Sequence, residues 1–140
     1  MVDQNCAYCV EGDLVAKFGI KICELETSKV YLFKEQSHPG RCIVAHKKHV
    51  GDMNELTAEE RAAYFEDVAR VARAIMAAFH PDKVNYGAYG DTGHHLHFHL
   101  CPKYKDEFEW GGVFLMNPDK KYLTDTEYAE MIEKIKANIK

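Results

Sequence analysis

The stretch Gly93-His94-His95-Leu96-His97-Phe98-His99-Leu100-Cys101-Pro102 constrains this 140-residue chain more than any other. Histidine and apolar residues alternate there with a period of two, the pattern of an extended strand over residues 94–101 with one face buried. On such a strand His95, His97 and His99 project from one face, while Leu96, Phe98 and Leu100 project into a core from the other. Neighbouring imidazoles on that face stand about 6–7 Å apart, a poor hydrophobic surface and a costly one to desolvate. The bland alternative is a solvated strand face, which fits badly with four histidines between positions 94 and 99. Two chemical readings remain. Two of the rings can share a metal ion, but the outer pair lies about 13–14 Å apart along a strand, too far for all three. Alternatively, a neutral imidazole attacks phosphorus while one neighbour fixes its tautomer and others hold the charged oxygens. The middle histidine has same-face neighbours on both sides, which favours the second reading.

The remainder of the chain supplies a sheet and its cover. Lys29-Val30-Tyr31-Leu32-Phe33 is rich in strand formers, the region from Gly12 to Arg41 reads as strands, and His38-Pro39-Gly40 reads as a turn before a strand over Arg41–His46. Thr57-x-x-Glu60 is a capping box ahead of Tyr64, Phe65, Val68, Val71, Ala72, Ile75, Met76 and Phe79 at helical spacing, and Pro81 follows the end. Residues 84–89 read as a strand, Gly87 to Gly93 as a turn, and Thr124-x-x-Glu127 as the cap of a closing helix to about Lys136. Trp110 to Phe114 reads as a loop or short edge strand, and the charged, aromatic run before it as a solvated loop with a packed Trp110. Successive strands with one long and one terminal helix predict an α+β fold on an antiparallel sheet. No repeat or Pro/Gly/Ser-rich linker divides the sequence, so residues 1–140 read as one domain.

Composition narrows the function classes. With 46% apolar and 29% charged residues, the chain is not wholly disordered. A net charge of -4 argues against tight nonspecific nucleic-acid binding, yet leaves room for a local site for a small phosphate ester. No apolar run approaches the ~18 residues of a membrane span, and the expectation is a soluble, cytoplasmic protein. Five cysteines, an odd number with only Cys6 and Cys9 close together, suit reduced thiols or metal ligands better than disulfides. Cys6-Ala7-Tyr8-Cys9 has zinc-ligand spacing, although a redox pair looks the same and a closed zinc site needs four ligands. Cys23, Cys42 and Cys101 read as small buried side chains, and His38 and His80, each before a proline, as turn residues without a role.

His95-Leu96-His97-Phe98-His99-Leu100-Cys101 resembles the motif His-Φ-His-Φ-His-Φ-Φ (Φ apolar) of the histidine triad (HIT) nucleotide hydrolases and transferases. Pro39-Gly40-Arg41-Cys42-Ile43-Val44-Ala45-His46-Lys47-Lys48-His49 is similar to the strand that precedes the long helix in that family. The resemblance implies a five-stranded antiparallel sheet with a long helix and a C-terminal helix, and commonly a homodimer. It implies His97 as the nucleophile toward the α-phosphorus of a purine nucleotide, with His99 stabilising phosphate charge. His95 matches the position that orients the nucleophile or ligates a structural metal, and Asn85 one that reaches the phosphate. Transferred onto matching positions, Cys6, Cys9, His49 and His95 would surround one structural Zn²⁺, with His46 as a competing ligand and no catalytic metal. Two departures stand out. Gly90-Asp91-Thr92-Gly93 occupies the place of a Gln or Ser, so Thr92 and glycine N–H groups would meet the anion while Asp91 points outward. Arg41 stands where relatives often carry histidine; its fork suits phosphate, although a solvated surface is the commoner place for an arginine. His94 reads as a loop or interface residue. The implied substrates are nucleoside phosphoramidates, dinucleoside polyphosphates or adenylylated compounds. The rivals are a metal-dependent hydrolase or oxygenase using His95 and His97, and a nucleotide-binding module without useful turnover.

Overall fold

The computed structural model describes residues 3–140. In chain order it comprises α1 (Ala7–Val10), α2 (Asp13–Ala16), β1 (Gly19–Glu24), β2 (Ser28–Phe33), β3 (Cys42–His46), α3 (Ala58–Phe79), β4 (Lys83–Gly87), β5 (His97–Lys103) and α4 (Asp125–Asn138), with a 3₁₀ turn at Met53–Glu55. The strands form one antiparallel sheet in the order β1-β2-β3-β5-β4, so the fold is α+β as the sequence pattern predicts.

Strand alternation divides the core in two. Val30 and Leu32 of β2, Cys42 and Val44 of β3, and Leu100 of β5 face α3 and α4, where they meet Tyr64, Val68, Val71, Ile75, Tyr128 and Ile135. Each fully buried Val or Ile there contributes about 1.5–3 kcal/mol relative to exposure. The intervening residues Tyr31, Phe33, Ile43 and Ala45 face the other side, under Tyr8 and Val15 of the two short N-terminal helices. Register aligns Ile43 with His99 and Ala45 with His97, so the triad lies on this second face.

Both capping boxes form as read. The Thr57 hydroxyl accepts from Glu60 N–H and the Glu60 carboxylate accepts from Thr57 N–H, and Thr124 and Glu127 repeat the arrangement. α3 ends at His80, whose left-handed φ of 52° stops the helix before Pro81. In the 38–40 turn Gly40 has φ +96°, and a Cβ there would meet Phe79 at 2.6 Å, so glycine is required on both counts.

Several boundaries differ from the sequence reading. β5 starts at His97 rather than 94, because the chain leaving β3 turns away: Leu96 O still accepts from His46 N–H, in register with the ladder, but Leu96 N–H donates to Val50 O and the pairing stops there. β4 ends at Gly87, two residues early, and 88–93 is irregular. Residues 13–16 coil into α2 where strand was expected, while Trp110–Phe114 is turn and loop, one of the two forms the sequence allowed. His38 is no idle turn residue: it is buried and its Nε2 lies 2.7 Å from Glu109 Oε1.

A buried carboxylate joins α3 to the sheet. Asp67 Oδ2 accepts from Thr27 N–H (2.9 Å), Thr27 Oγ1 (2.8 Å) and Ser28 Oγ (2.8 Å), pinning the β1–β2 turn. Asp67→Ala leaves the buried Ser28 and half-buried Thr27 donors unpaired, and urea unfolding should show a loss of about 3 kcal/mol; a loss below about 0.5 kcal/mol, the range of ordinary surface changes, would contradict the assignment.

Candidate active site

A cleft of about 920 Å³ opens on the triad face. Its floor is His95, His97 and His99. The N-terminal segment supplies Asp3, Cys6 and Tyr8, the inner wall Phe18, Phe33 and Ile43, and the loop before β5 supplies Asp91, Thr92 and Gly93. Val113 to Asn117 form the rim. The volume is that of a small-molecule site, and the wall is largely aromatic and aliphatic.

Each triad ring has one nitrogen committed to a partner behind it. His97 Nδ1 lies 2.7 Å from the His95 carbonyl oxygen, which only accepts, so the proton sits on Nδ1. The Nε2 lone pair is left toward the cleft, the form a nucleophile needs. His99 is the reverse case. Its Nδ1 lies 3.1 Å from Arg41 Nη2, a pure donor, so Nδ1 accepts and the proton is carried by Nε2. His95 Nε2 lies 2.6 Å from the His46 carbonyl oxygen and donates to it, which frees the Nδ1 lone pair. The His97 and His99 ring centroids are 5.4 Å apart, and Tyr8 lies 5.4 Å from the His95 ring and 5.1 Å from that of His97, so all three rings share one face as predicted.

Burial holds the rings neutral. Desolvation lowers the His97 pKa below the ordinary histidine value. Desolvation, followed by the neighbouring His49, His97 and His46, lowers that of His95 to about 4. For His99, desolvation and then the Arg41 charge lower it to about 2.

The free Nδ1 of His95 faces a cluster. It lies 3.2 Å from Cys6 Sγ, 3.7 Å from Cys9 Sγ and 3.1 Å from His49 Nδ1, and Cys9 Sγ lies 3.3 Å from His49 Nδ1. One ligand atom from each of these four residues falls within 4.8 Å of the others. Such spacing suits the edges of a tetrahedron with metal–ligand bonds of about 2.0–2.3 Å. The set is Cys₂His₂, compatible with zinc. His46 is not in it: its Nδ1 accepts from Lys48 N–H, and its ring packs against Tyr64 on the opposite side.

The other sequence candidates divide. Thr92 and Asp91 line the cleft, both exposed, and Gly93 approaches closely enough that a Cβ on it would stand 3.6 Å from His97 Cε1. Asn85 pairs with Cys101 and shares the triad face, but does not line the cleft. His94 is exposed at the mouth, with its ring over Gly51. Arg41 is fully buried, not solvated, sandwiched between Phe33 (4.2 Å) and Phe114 (4.8 Å). Sequence reasoning missed Tyr8, although a clip joining Cys6 and Cys9 to His95 necessarily carries the residue between them to the triad. It also missed Phe18 and Phe114, aromatic residues whose isolated sequence positions carry no such signal.

The 103–110 run, read as a solvated loop with a packed Trp110, instead begins in β5 and is strapped down, with Trp110 itself 39% exposed. Lys103 is buried, and its Nζ donates to the carbonyls of Glu109 (2.6 Å) and Gly112 (2.7 Å), while Glu109 accepts from Leu115 N–H and pairs with His38. Lys103→Met should raise amide hydrogen exchange across 109–116 by about tenfold or more, with β3 and β5 unchanged; unchanged exchange in that segment would show that the lysine does not hold the rim.

Comparison with known proteins agrees with this geometry. The HIT domain family model matches residues 19–106. Adenosine 5'-monophosphoramidase hnt1 of Schizosaccharomyces pombe is 28% identical over 116 residues, covering 76% of this chain and 80% of that protein. A histidine triad protein from Bradyrhizobium japonicum superposes with TM-score 0.83 at 21% identity, covering 92% of this chain and 96% of the other. A Zn-bound histidine triad family protein from Mycobacterium smegmatis superposes with TM-score 0.68 at 22% identity, covering 96% and 92%.

Proposed function

The chain belongs to the HIT domain family, and from that premise we propose that it hydrolyses or transfers at the α-phosphorus of a nucleotide through a nucleotidyl-histidine on His97. The observation that carries this is the pairing of His97, its Nδ1 on the His95 carbonyl, with His99, its Nδ1 on the Arg41 guanidinium, on the floor of the cleft. The His97 Nε2 lone pair forms a bond to phosphorus as the bond to the leaving group breaks, and the leaving group departs with that electron pair and takes a proton from water. His99 Nε2–H donates to a non-bridging oxygen, with Thr92 and the Gly93 backbone beside it. Water then attacks phosphorus and gives a proton to the hydroxide left by the first step, the P–Nε2 bond breaks with its electron pair returning to nitrogen, and the released nucleotide leaves His97 neutral again. Such in-line exchange needs positioning and charge stabilisation more than acid–base power.

Phe18, Phe33 and Ile43 offer a flat apolar wall for a base, read as a purine. Among phosphoramidates, dinucleoside polyphosphates and adenylylated compounds, the phosphoramidate reading has the support of the relative named as an adenosine monophosphoramidase. Cys6, Cys9, His49 and His95 would hold a structural zinc ion, whose contribution is to tie α1 to the triad and fix the His95 ring. The alternative in which His95 and His97 share a catalytic ion lacks support, since the free nitrogen of His95 faces the thiols. We also infer a homodimer, for which the groove between α3 and β4, lined by Ala72, Met76, Val84 and Tyr86, is available. Among the described residues no helix is long and apolar enough to cross a membrane.

Incubation with an adenosine phosphoramidate, a quench in base and mass spectrometry should find the nucleotidyl adduct on His97, and His97→Ala should lower turnover by about 10³-fold or more. Turnover without an adduct, or an adduct elsewhere, would overturn the mechanism. Metal analysis of protein purified without added zinc should give about one equivalent per chain, and Cys9→Ser should lower both zinc content and thermal stability; metal-free wild type of unchanged stability would refute the zinc assignment.

A further inference from the structure

Arg41 is difficult to explain as a stabilising residue. It is fully buried, its Nε has no hydrogen-bond partner, and no carboxylate lies within ion-pair distance of it among the described residues. A buried cation without a counter-ion is costly, and an orphaned buried donor adds to the cost. Three of its other four N–H groups are directed at named acceptors. Nη1 donates to Leu115 O at 3.1 Å, and Nη2 to Met116 O at 2.9 Å and to His99 Nδ1 at 3.1 Å. Phe33 and Phe114 close over its two faces and prevent the fork from swinging into the cleft.

We propose that Arg41 is the positioning residue of the triad: it fixes His99 as the tautomer with its proton on Nε2, directs that proton at the phosphate, and ties the 114–116 rim to the same ring. The role at the phosphate rests on the function proposed above; the tautomer and the tie to the rim do not. The logic is donor complementarity. A guanidinium offers only N–H groups and is never deprotonated, so the nitrogen it faces must accept. Without it, the His99 proton is free to sit on either nitrogen, and with the proton on Nδ1 the triad would present two lone pairs and no imidazole donor to the phosphate. Arg41 thus acts on the anion through His99, without touching it.

Long-range ¹H–¹⁵N spectra of the histidine rings, read with the single-turnover rate of nucleotidyl-histidine formation from an adenosine phosphoramidate, test this. Wild type should show His99 protonated on Nε2. Arg41→Met, which keeps an apolar stem and removes every donor, should show both His99 tautomers, slower nucleotidylation by about 10²-fold and faster amide exchange at 114–116. Arg41→Lys, which restores a donor, should restore the wild-type tautomer and recover most of the rate. A folded Arg41→Met protein that keeps the Nε2–H form and the wild-type rate would overturn the proposal. So would a wild-type spectrum with the proton on Nδ1, a measurement that requires neither a variant that folds nor a substrate. If wild type forms no nucleotidyl-histidine but Arg41→Met still scrambles the His99 tautomer, the function fails while the positioning role stands.

Discussion

The hydrogen bond from His97 Nδ1 to the His95 carbonyl makes the rest of the site intelligible. It is a bond between a side chain and the backbone two residues earlier, so it depends on the path of the chain as β5 begins. There the ladder gives way to the contact of Leu96 with Val50, and the His95 carbonyl, released from strand pairing, becomes the acceptor that orients its neighbour. With that nitrogen occupied, the other nitrogen of His97 is a lone pair by elimination. His95 and His99 receive opposite assignments from different partners, a carbonyl in one case and a guanidinium in the other. Three chemically identical side chains thereby present different nitrogens: a free Nδ1 on His95, a free Nε2 on His97 and an Nε2–H on His99.

Much of this was legible in the sequence because period-two alternation has a single geometric meaning. Once Leu96, Phe98 and Leu100 are placed in a core, the odd-numbered histidines have no other face to occupy. The capping boxes at Thr57 and Thr124 were equally readable, since each is a local hydrogen-bond exchange complete within four residues. The gathering of Cys6, Cys9, His49 and His95 came from the family resemblance rather than from spacing, as the four are spread over ninety positions of the sequence.

What was not legible depends on long-range contacts between residues of unremarkable type. Arg41 was expected in solvent because that is where a lone arginine usually belongs; its burial requires Phe33, Phe114 and the carbonyls of Leu115 and Met116 to converge from distant segments. His38 and Lys103 follow the same rule, each buried only because the 105–116 excursion folds back over it. The strand boundaries at Gly87 and His97 shifted for a related reason: propensity describes the strand, but its end is decided by where the neighbouring strand turns away. The fold and the shared face of the three histidines were written locally, whereas the support behind the triad was written in tertiary structure.

The proton positions of the triad are the centre of this account, and neutron diffraction from a deuterated crystal observes them directly. The account predicts deuterium on Nδ1 of His97 and on Nε2 of His99, with His97 Nε2 bare. Deuterium on His97 Nε2, or on His99 Nδ1 against Arg41, would contradict it.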